Sequence, residues 1–306
     1  MGRRIGVNIL NYMKKHADYD IWLHDDDELR GIHGADVISR TVLRRWPLSV
    51  VERVVFADGA SRIYKAYYNI PVETEFYRNV RSRHIPALHY SHSDGDRHWL
   101  LLEDVSGVHP ASLDSASMLE LARRAQEIIG GLSTVNYVRH DLSENNYGAF
   151  AQSTIDLLLK LRNSNLLTKT DGNIIKGIKA AISHPEVLHI VSAPCPLIHG
   201  DMKCDNILIR PDGDIVIIDW QNISRGPPGV DAYSLLATQG IDPVPLAGVG
   251  PELLRLALEA RWFADCLSRW MPYPAFLDGR ISVIGGYMRR IAENNGYAGE
   301  GVYYFH

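Results

Sequence analysis

The stretch LIHGDMKCDNILIRPDGDIVIIDWQ, residues 197–221, sets two apolar runs around a Pro-Asp-Gly-Asp turn and rims them with acids and an amide. "NILIR" and "DIVIID" are short and β-branched, and an Asp-Gly pair between such runs is a strong hairpin signal. Most hairpins end in bland turns. This one opens with His199, Gly200, Asp201, Lys203 and Asn206 and closes with Asp219. As a rigid mount, the ribbon would present Asp201 and Asn206 before its first strand and Asp219 at the end of its second. Two acids and an amide at one point offer hard oxygen ligands for divalent cations. An acid left free of metal can orient a hydroxyl and take its proton. That is the equipment of phosphoryl transfer from Mg-ATP, where catalysis is mainly positioning and charge neutralisation. The competing reading is a plain ribbon with a polar rim, and an Asp-x-x-x-x-Asn spacing alone is too common to decide between them.

Outward from the hairpin, the period of the sequence changes. Residues 36 to 105 are strand-like: "VISRTVLRRW", "VVERVVFAD" and "SRIYKAYY" are rich in β-branched and aromatic residues and are broken by Pro47 and Asp58-Gly59. Pro71 suits a first helical turn and predicts a helix over "PVETEFYRNVRSR". "HWLLLEDV", residues 98 to 105, reads as a further strand and runs into "SGVHPASLD", a hinge-like stretch. Helical spacing then takes over in "DSASMLELARRAQEIIGGL" (114 to 132, with Asp114 or Ser115 as cap), "FAQSTIDLLLKL", "NIIKGIKAAI" and "PELLRLALEARWFADCLSRW" (251 to 270). The expected architecture is α+β and bilobal. A small antiparallel β lobe, residues 1–105 with a leading helical segment, precedes a larger, mainly helical lobe, residues 106–306, that carries the hairpin.

The composition narrows the function. A chain of 306 residues, 46% hydrophobic and 22% charged with a net charge of −4, has room for one large domain or two lobes. No basic excess waits to neutralise phosphates, which argues against a nucleic-acid partner. Cys195, Cys204 and Cys266 lack CxxC spacing, so neither a disulfide framework nor a zinc site is indicated. The N-terminal "MGRRIGVNILNYMKK" has no sustained apolar run, and nothing approaches membrane-spanning length. A cytoplasmic protein without a membrane partner is expected.

His199-Gly200-Asp201, Asn206 five residues on, the hairpin and Ile218-Asp219-Trp220 together resemble the aminoglycoside phosphotransferase and choline/ecdysteroid-kinase-like superfamily, small-molecule relatives of protein kinases. The resemblance spans residues 36 to 240. It implies a protein-kinase-like fold and ATP- and Mg²⁺-dependent phosphorylation of a small-molecule hydroxyl acceptor. Asp201 would be the catalytic base, Asn206 and Asp219 would hold Mg²⁺, and His199 would hold the loop. Lys203 lies where protein kinases place a lysine that meets the transferred phosphate, and a solvated loop lysine explains it equally well. In the β lobe the resemblance requires a lysine for the ATP phosphates and a helical glutamate to hold it. Lys65, a charge in mid-strand, fits the first; Glu73 or Glu75 fits the second, and Glu73 is favoured because it stands three positions before Phe76-Tyr77. "HWLLLEDV" fits the strand whose backbone meets the adenine edge, with Leu101, Leu102, Glu103 and Asp104 as the zone and Glu103 as the candidate. Asp231, in "RGPPGVDAYSLLA", is expected to cap the next helix and brace the catalytic loop.

Two departures qualify this picture. Kinases commonly cover the phosphates with glycine-bearing loops whose N–H groups approach closely, whereas "RRWPLS" here has no glycine. A donor other than ATP therefore stays open. Only 12 positions separate Asp219 from Asp231, and His-Arg-Asp, Asp-Phe-Gly and Ala-Pro-Glu are absent, so the acceptor is expected to be a small molecule and not a protein. The alternative is a nucleotide-binding pseudokinase acting as a regulatory or interaction module, which has no need for Asp201.

Other signals weigh less. His84, His89, His92 and His98 are irregularly spaced and read as a solvated loop in preference to a metal set. Asp25-Asp26-Asp27-Glu28 reads as a capped helix start or a solvated turn. Leu253, Leu256, Leu258, Trp262 and Leu267 form a core stripe, while Trp262, Asp265, Arg269 and Trp270 are the residues of that helix an acceptor pocket would use. After residue 220, eight acids stand against seven arginines, which is not the balance a polycationic aminoglycoside requires. Flat or partly apolar hydroxylated acceptors, such as a nucleoside or a sugar-bearing natural product, fit at least as well. The superfamily holds antibiotic-resistance enzymes and amino-alcohol kinases alike.

Overall fold

Hydrophobic alternation and helical spacing segregate along the chain, and the fold follows that segregation. The computed structural model describes residues 14–16, 21–68, 71–110, 113–132, 135, 137–241, 248–269 and 274–294. The chain divides into two compact units, Met1–Ser106 and Gly107–His306. Trp270 lies outside the described residues, as does most of the N-terminal "MGRRIGVNILNYMKK".

In the first unit, a short ribbon of β1 (Lys14–Lys15) and β2 (Trp22–Leu23) precedes helix α1 (Asp26–His33). The acidic run is the start of this helix. The Asp25 carboxylate accepts the Glu28 N–H at 2.8 Å, and the Glu28 carboxylate accepts the Asp25 N–H at 2.9 Å, a reciprocal capping box. Five antiparallel strands follow: β3 (Val37–Trp46), β4 (Ser49–Phe56), β5 (Ser61–Tyr68), β6 (Leu88–Asp94) and β7 (Arg97–Glu103), ordered β3-β4-β5-β7-β6, with α2 (Pro71–Asn79) following β5 in sequence. β4 sends Val50, Val54 and Phe56 into a core with Leu29, Tyr64, Ala66, Trp99 and Leu101. Glu52 shares that buried face and is answered by Arg40, whose Nη2 and Nε donate to Glu52 Oε2 at 2.5 and 2.8 Å. Trp46 pairs with Ser49, so the glycine-free "RRWPLS" is a tight turn over Pro47-Leu48.

Most of the histidine-rich stretch expected to be a loop is instead a hairpin, while His84 lies in the turn before it. His89 and His92 lie on β6, and His98 is buried on β7 with Nδ1 2.9 Å from the Ser93 hydroxyl. β6 is an edge strand with a mostly half-exposed face, so polar residues suit it and the apolar alternation that marks a strand is missing.

The second unit is mainly helical. It contains α3 (Ser115–Gly130), capped by Asp114, then α4 (Glu144–Asn163), α5 (Gly172–Ile182), α6 (Pro185–Ser192), α7 (Gly229–Ala237), α8 (Val249–Arg269) and α9 (Pro274–Asn294). Set among them are β8 (Leu197–Ile198), which pairs with β11 (Ser224–Arg225), and the ribbon β9 (Ile207–Ile209) with β10 (Ile215–Ile217). Three-residue strands are marginal alone. Here Ile207, Ile215, Val216 and Ile217 are fully buried, each contributing roughly 1.5–3 kcal/mol of hydrophobic stabilisation. The hinge-like segment also ties to the ribbon, because Val108 and Ile209 exchange both backbone hydrogen bonds, at 3.0 and 2.8 Å. Among the described residues, no helix is long and apolar enough to cross a membrane.

One buried titratable group makes the first unit sensitive to acid. Tyr64 Oη accepts the His24 backbone N–H at 2.9 Å and lies 3.0 Å from His24 Nδ1, a contact in which a neutral ring can accept the Tyr64 hydroxyl. Burial, then the charges of His92 and Arg40, push His24 from 6.5 down to about 4. Between those values the unfolded chain takes up a proton that the folded chain refuses, so this stability is fully present above pH 6.5 and is lost as pH falls toward about 4. In His24→Gln, whose amide oxygen still accepts from Tyr64, urea unfolding should depend less on pH across that window. An unchanged slope would assign the acid sensitivity elsewhere.

Candidate active site

The turn after β8 is shaped by one carboxylate. Asp231 Oδ2 accepts the His199 N–H at 2.5 Å, and its Oδ1 accepts the Gly200 N–H at 2.9 Å. Asp231 is the third residue of α7, whose cap position is Pro228, so it does not cap that helix as expected. Its side chain turns onto the loop and braces it, the other half of the expectation. Burial pushes the Asp231 carboxyl above its ordinary value, while His199 and the two N–H donors pull it down. Gly200 sits at φ +78°, and a Cβ there would lie 2.4 Å from the Asn222 carbonyl oxygen. Only glycine satisfies both conditions, which explains the residue that precedes Asp201.

Asn206 joins the two ends of the hairpin. Its Nδ2 donates to the Asp201 carbonyl oxygen at 2.7 Å, while its own carbonyl accepts the Ile218 N–H at 2.9 Å. With the NH₂ so engaged, the amide oxygen is the end that a cation would meet. His199 Nε2 donates to the Ile218 carbonyl at 3.0 Å, and its ring meets the fully buried Trp220 edge-on at 5.0 Å. Ile218 is therefore held from both sides. The next residue, Asp219, adopts φ 64°, ψ 58°, a left-handed conformation uncommon outside glycine. Such strain persists only where the surroundings over-determine it, and it concentrates at functional sites. Asp201, Asn206 and Asp219 thus belong to one bonded frame. Lys203 points back into it, with Nζ 2.9 Å from Asp201 Oδ1 and both side chains partly exposed.

In the first unit, Lys65 lies mid-strand between Val51 of β4 and Leu100 of β7. Its Nζ is 2.8 and 2.7 Å from the two Glu73 carboxylate oxygens, with side-chain exposures of 9% and 1%. Glu75 instead pairs with Arg78 near the surface at 3.0 Å. A buried pair of this kind is costly to break from one side, about 3–5 kcal/mol, because the remaining charge has no water. Glu103, expected at the nucleotide, commits its N–H and its carboxylate to the carbonyl and N–H of Ala87, at 2.8 and 3.1 Å. Neighbouring Asp104 takes Arg53 Nε at 2.7 Å and the Ser61 hydroxyl at 2.5 Å.

A further cluster adjoins the turn that carries Asp201. The Arg139 N–H donates to the Ile223 carbonyl at 2.7 Å, and Nη1 donates to Asn222 Oδ1 at 2.5 Å. Its guanidinium stacks 4.3 Å from the Trp262 ring centre and stands 3.8 Å from Asp265 Oδ2. That oxygen accepts Arg261 Nε at 3.1 Å, while Asp265 Oδ1 is buried without a hydrogen-bond partner. Leaving a buried acceptor unmet costs on the order of 1–3 kcal/mol. Burial pushes Arg139 down to about 10, with Asp265 opposing and Arg261 and Arg269 adding to the shift. Trp262, Asp265 and Arg269 were visible in the sequence as one helix face. Arg139 and Asn222 were not, since nothing in "NYVRHDLS" marks an arginine that packs onto α8.

The family model described as the phosphotransferase enzyme family matches residues 33–273. A search of curated proteins finds no match. Among solved structures, a thermostable mutant of aminoglycoside phosphotransferase APH(4)-Ia, in ternary complex with ADP and hygromycin B, is similar at TM-score 0.56 and 14% identity, over 85% of this chain and 97% of that one. ADP-bound aminoglycoside phosphotransferase APH(2'')-Ib is similar at TM-score 0.55 and 15% identity, over 87% and 97%. A candidate fructosamine-3-kinase from Thermobifida fusca YX-ER1 is similar at TM-score 0.52 and 14% identity, over 88% and 98%. At these identities the likeness is one of fold.

The Asp231 bracket is open to a direct test. Asp231→Asn sets an NH₂ against one of two N–H donors, and should lower unfolding free energy by about 1–3 kcal/mol. Urea denaturation reads this, and an unchanged midpoint would show that the turn is held by other contacts.

Proposed function

The chain belongs to the phosphotransferase enzyme family, and from that membership we propose that it is an ATP- and Mg²⁺-dependent kinase acting on a hydroxyl of a small molecule. The observation that carries this reading is the Asn206 junction, which ties the Asp201 backbone to Ile218 beside Asp219. The residues present suit magnesium: Asn206 has its NH₂ engaged and its amide oxygen to offer, and Asp219 is a carboxylate on an over-determined backbone. When bound, the ion would neutralise phosphate charge as the phosphoryl group transfers.

The chain's own residues would do the rest. Lys203 engages Asp201 Oδ1, so Oδ2 is the oxygen that would orient the acceptor hydroxyl and take its proton as the hydroxyl oxygen bonds to the γ-phosphorus and the bond from that phosphorus to the bridging oxygen breaks, releasing ADP. Lys203 would follow the charge onto the transferred phosphate. Lys65, steered by Glu73, would grip the phosphates of the nucleotide. The solved structures of similar fold supply the precedent for the donor, because two of them hold ADP. Glu103, whose side chain fastens Ala87, would lie on the strand whose backbone meets the adenine edge.

Mass analysis of products formed from Mg-ATP and a panel of hydroxylated compounds tests the proposal. Asp201→Asn should lower kcat by about 10²–10⁴-fold, the range of a lost general base, while nucleotide affinity persists. Lys65→Ala should weaken nucleotide binding, with circular dichroism checking that the first unit remains folded. Unchanged turnover in Asp201→Asn would remove the base assignment. Nucleotide binding by the native chain with no transfer to any acceptor would favour a regulatory pseudokinase.

A further inference from the structure

Residues 107–110 open the second unit and run beside β9, on the edge away from β10. Val108 and Ile209 exchange both backbone hydrogen bonds as an antiparallel pair. Gly107 allows the approach, since a Cβ there would lie 2.9 Å from the Ile209 carbonyl oxygen. An antiparallel ladder repeats its hydrogen-bonded pairs two residues along each strand. The next pair would therefore be Pro110 with Ile207, and proline has no N–H to give. The ladder breaks at the residue next to Asn206.

The His109 ring stands in for the missing donor. Its Nδ1 lies 2.9 Å from the Ile207 carbonyl and 3.3 Å from the Cys204 carbonyl. Carbonyl oxygens only accept, so Nδ1 carries the proton and bridges the two. Those carbonyls bracket Asn206, because Cys204–Asn206 is one 3-10 turn and Ile207 begins β9. We infer that His109 is a positioning residue for Asn206, and that its Nδ1–H sustains the cation affinity of that amide. The inference rests on the kinase reading, which makes Asn206 a magnesium ligand.

Three features carry it. The turn under Asn206 is short, closed by Asn206 N–H to the Lys203 carbonyl at 3.0 Å and by Ile207 N–H to the Cys204 carbonyl, and 3-10 hydrogen bonds are poorly aligned. Asn206 Nδ2 is already spent on the Asp201 carbonyl at 2.7 Å, so the backbone beneath must aim the amide oxygen. His109 itself is exposed, so it adds little to the core and contributes chiefly these two contacts. Magnesium demands near-ideal octahedral geometry. A loosened turn would therefore cost metal affinity before it cost the fold.

The test reads ADP binding by calorimetry with and without Mg²⁺, which needs no acceptor. Mg²⁺ should tighten ADP binding to the native chain. His109→Phe should lose about 3–10-fold of that gain, the worth of one hydrogen bond, with metal-free ADP affinity unchanged. His109→Asn carries an N–H donor at the same remove from the backbone as Nδ1 and should restore the gain. His109→Gln sets its donor a bond farther out, where Nε2 stands, and should not. An undiminished gain in His109→Phe overturns the inference, as does restoration by Gln in place of Asn, or by neither. An equal loss with and without Mg²⁺ also overturns it, marking a merely structural residue. The kinase reading survives each of these results. Native ADP binding that ignores Mg²⁺ would remove the magnesium assignment and the inference together.

Discussion

Asp231 accepts two consecutive backbone N–H groups with one buried carboxylate, and the turn before Asp201 takes its form from that contact. A buried carboxylate is tolerated only when its oxygens are met, so the His199-Gly200 peptides must face it. That orientation accompanies the left-handed backbone of Gly200, and the missing Cβ lets the Asn222 carbonyl close in. Through Asn222 the turn reaches Arg139, and through Asn206 it reaches the end of β10. The backbones that carry Asp201, Asn206 and Asp219 are thus tied together by the Asn206 side chain and by main-chain hydrogen bonds.

The first unit solves a similar problem with a side-chain pair. Lys65 stands in a strand whose neighbours are apolar, and its charge persists because Glu73 reaches it from α2. The pair contributes little net stability against a hydrophobic substitute, since desolvation offsets most of the attraction. Its value under the proposed function lies in presenting a fixed cation to phosphates. Arg40 and Glu52 make a comparable pair nearby, and that one closes the core around His24. Among the described residues of this unit, the buried charges of Lys65, Glu73 and Glu52 each meet an opposite one.

Legibility in the sequence tracked the range over which each interaction acts. The α+β class and the superfamily were readable because the hairpin, its Asp-Gly turn and its polar rim fall within 25 consecutive residues, 197 to 221. Helix α1 was readable from Asp25 and Glu28, three residues apart. The β6 strand was hidden because an edge position removes the demand for apolar alternation. Asp231 was misread as a cap because spacing places it at a helix start, while the orientation of its carboxylate depends on a turn 31 residues earlier.

What the amino-acid order determined alone was local: element type, the hairpin, and which acids and amides its ends would carry, since turn chemistry and side-chain period act over a few residues. Tertiary structure decided the partners. It paired Lys65 with Glu73 and left Glu75 at the surface with Arg78, a choice set by which face of α2 is buried. It brought Arg139 to Asn222 across 83 positions and left Asp265 Oδ1 unmet beside them. No short-range rule encodes such meetings, because they arise from the packing of whole helices against one buried frame.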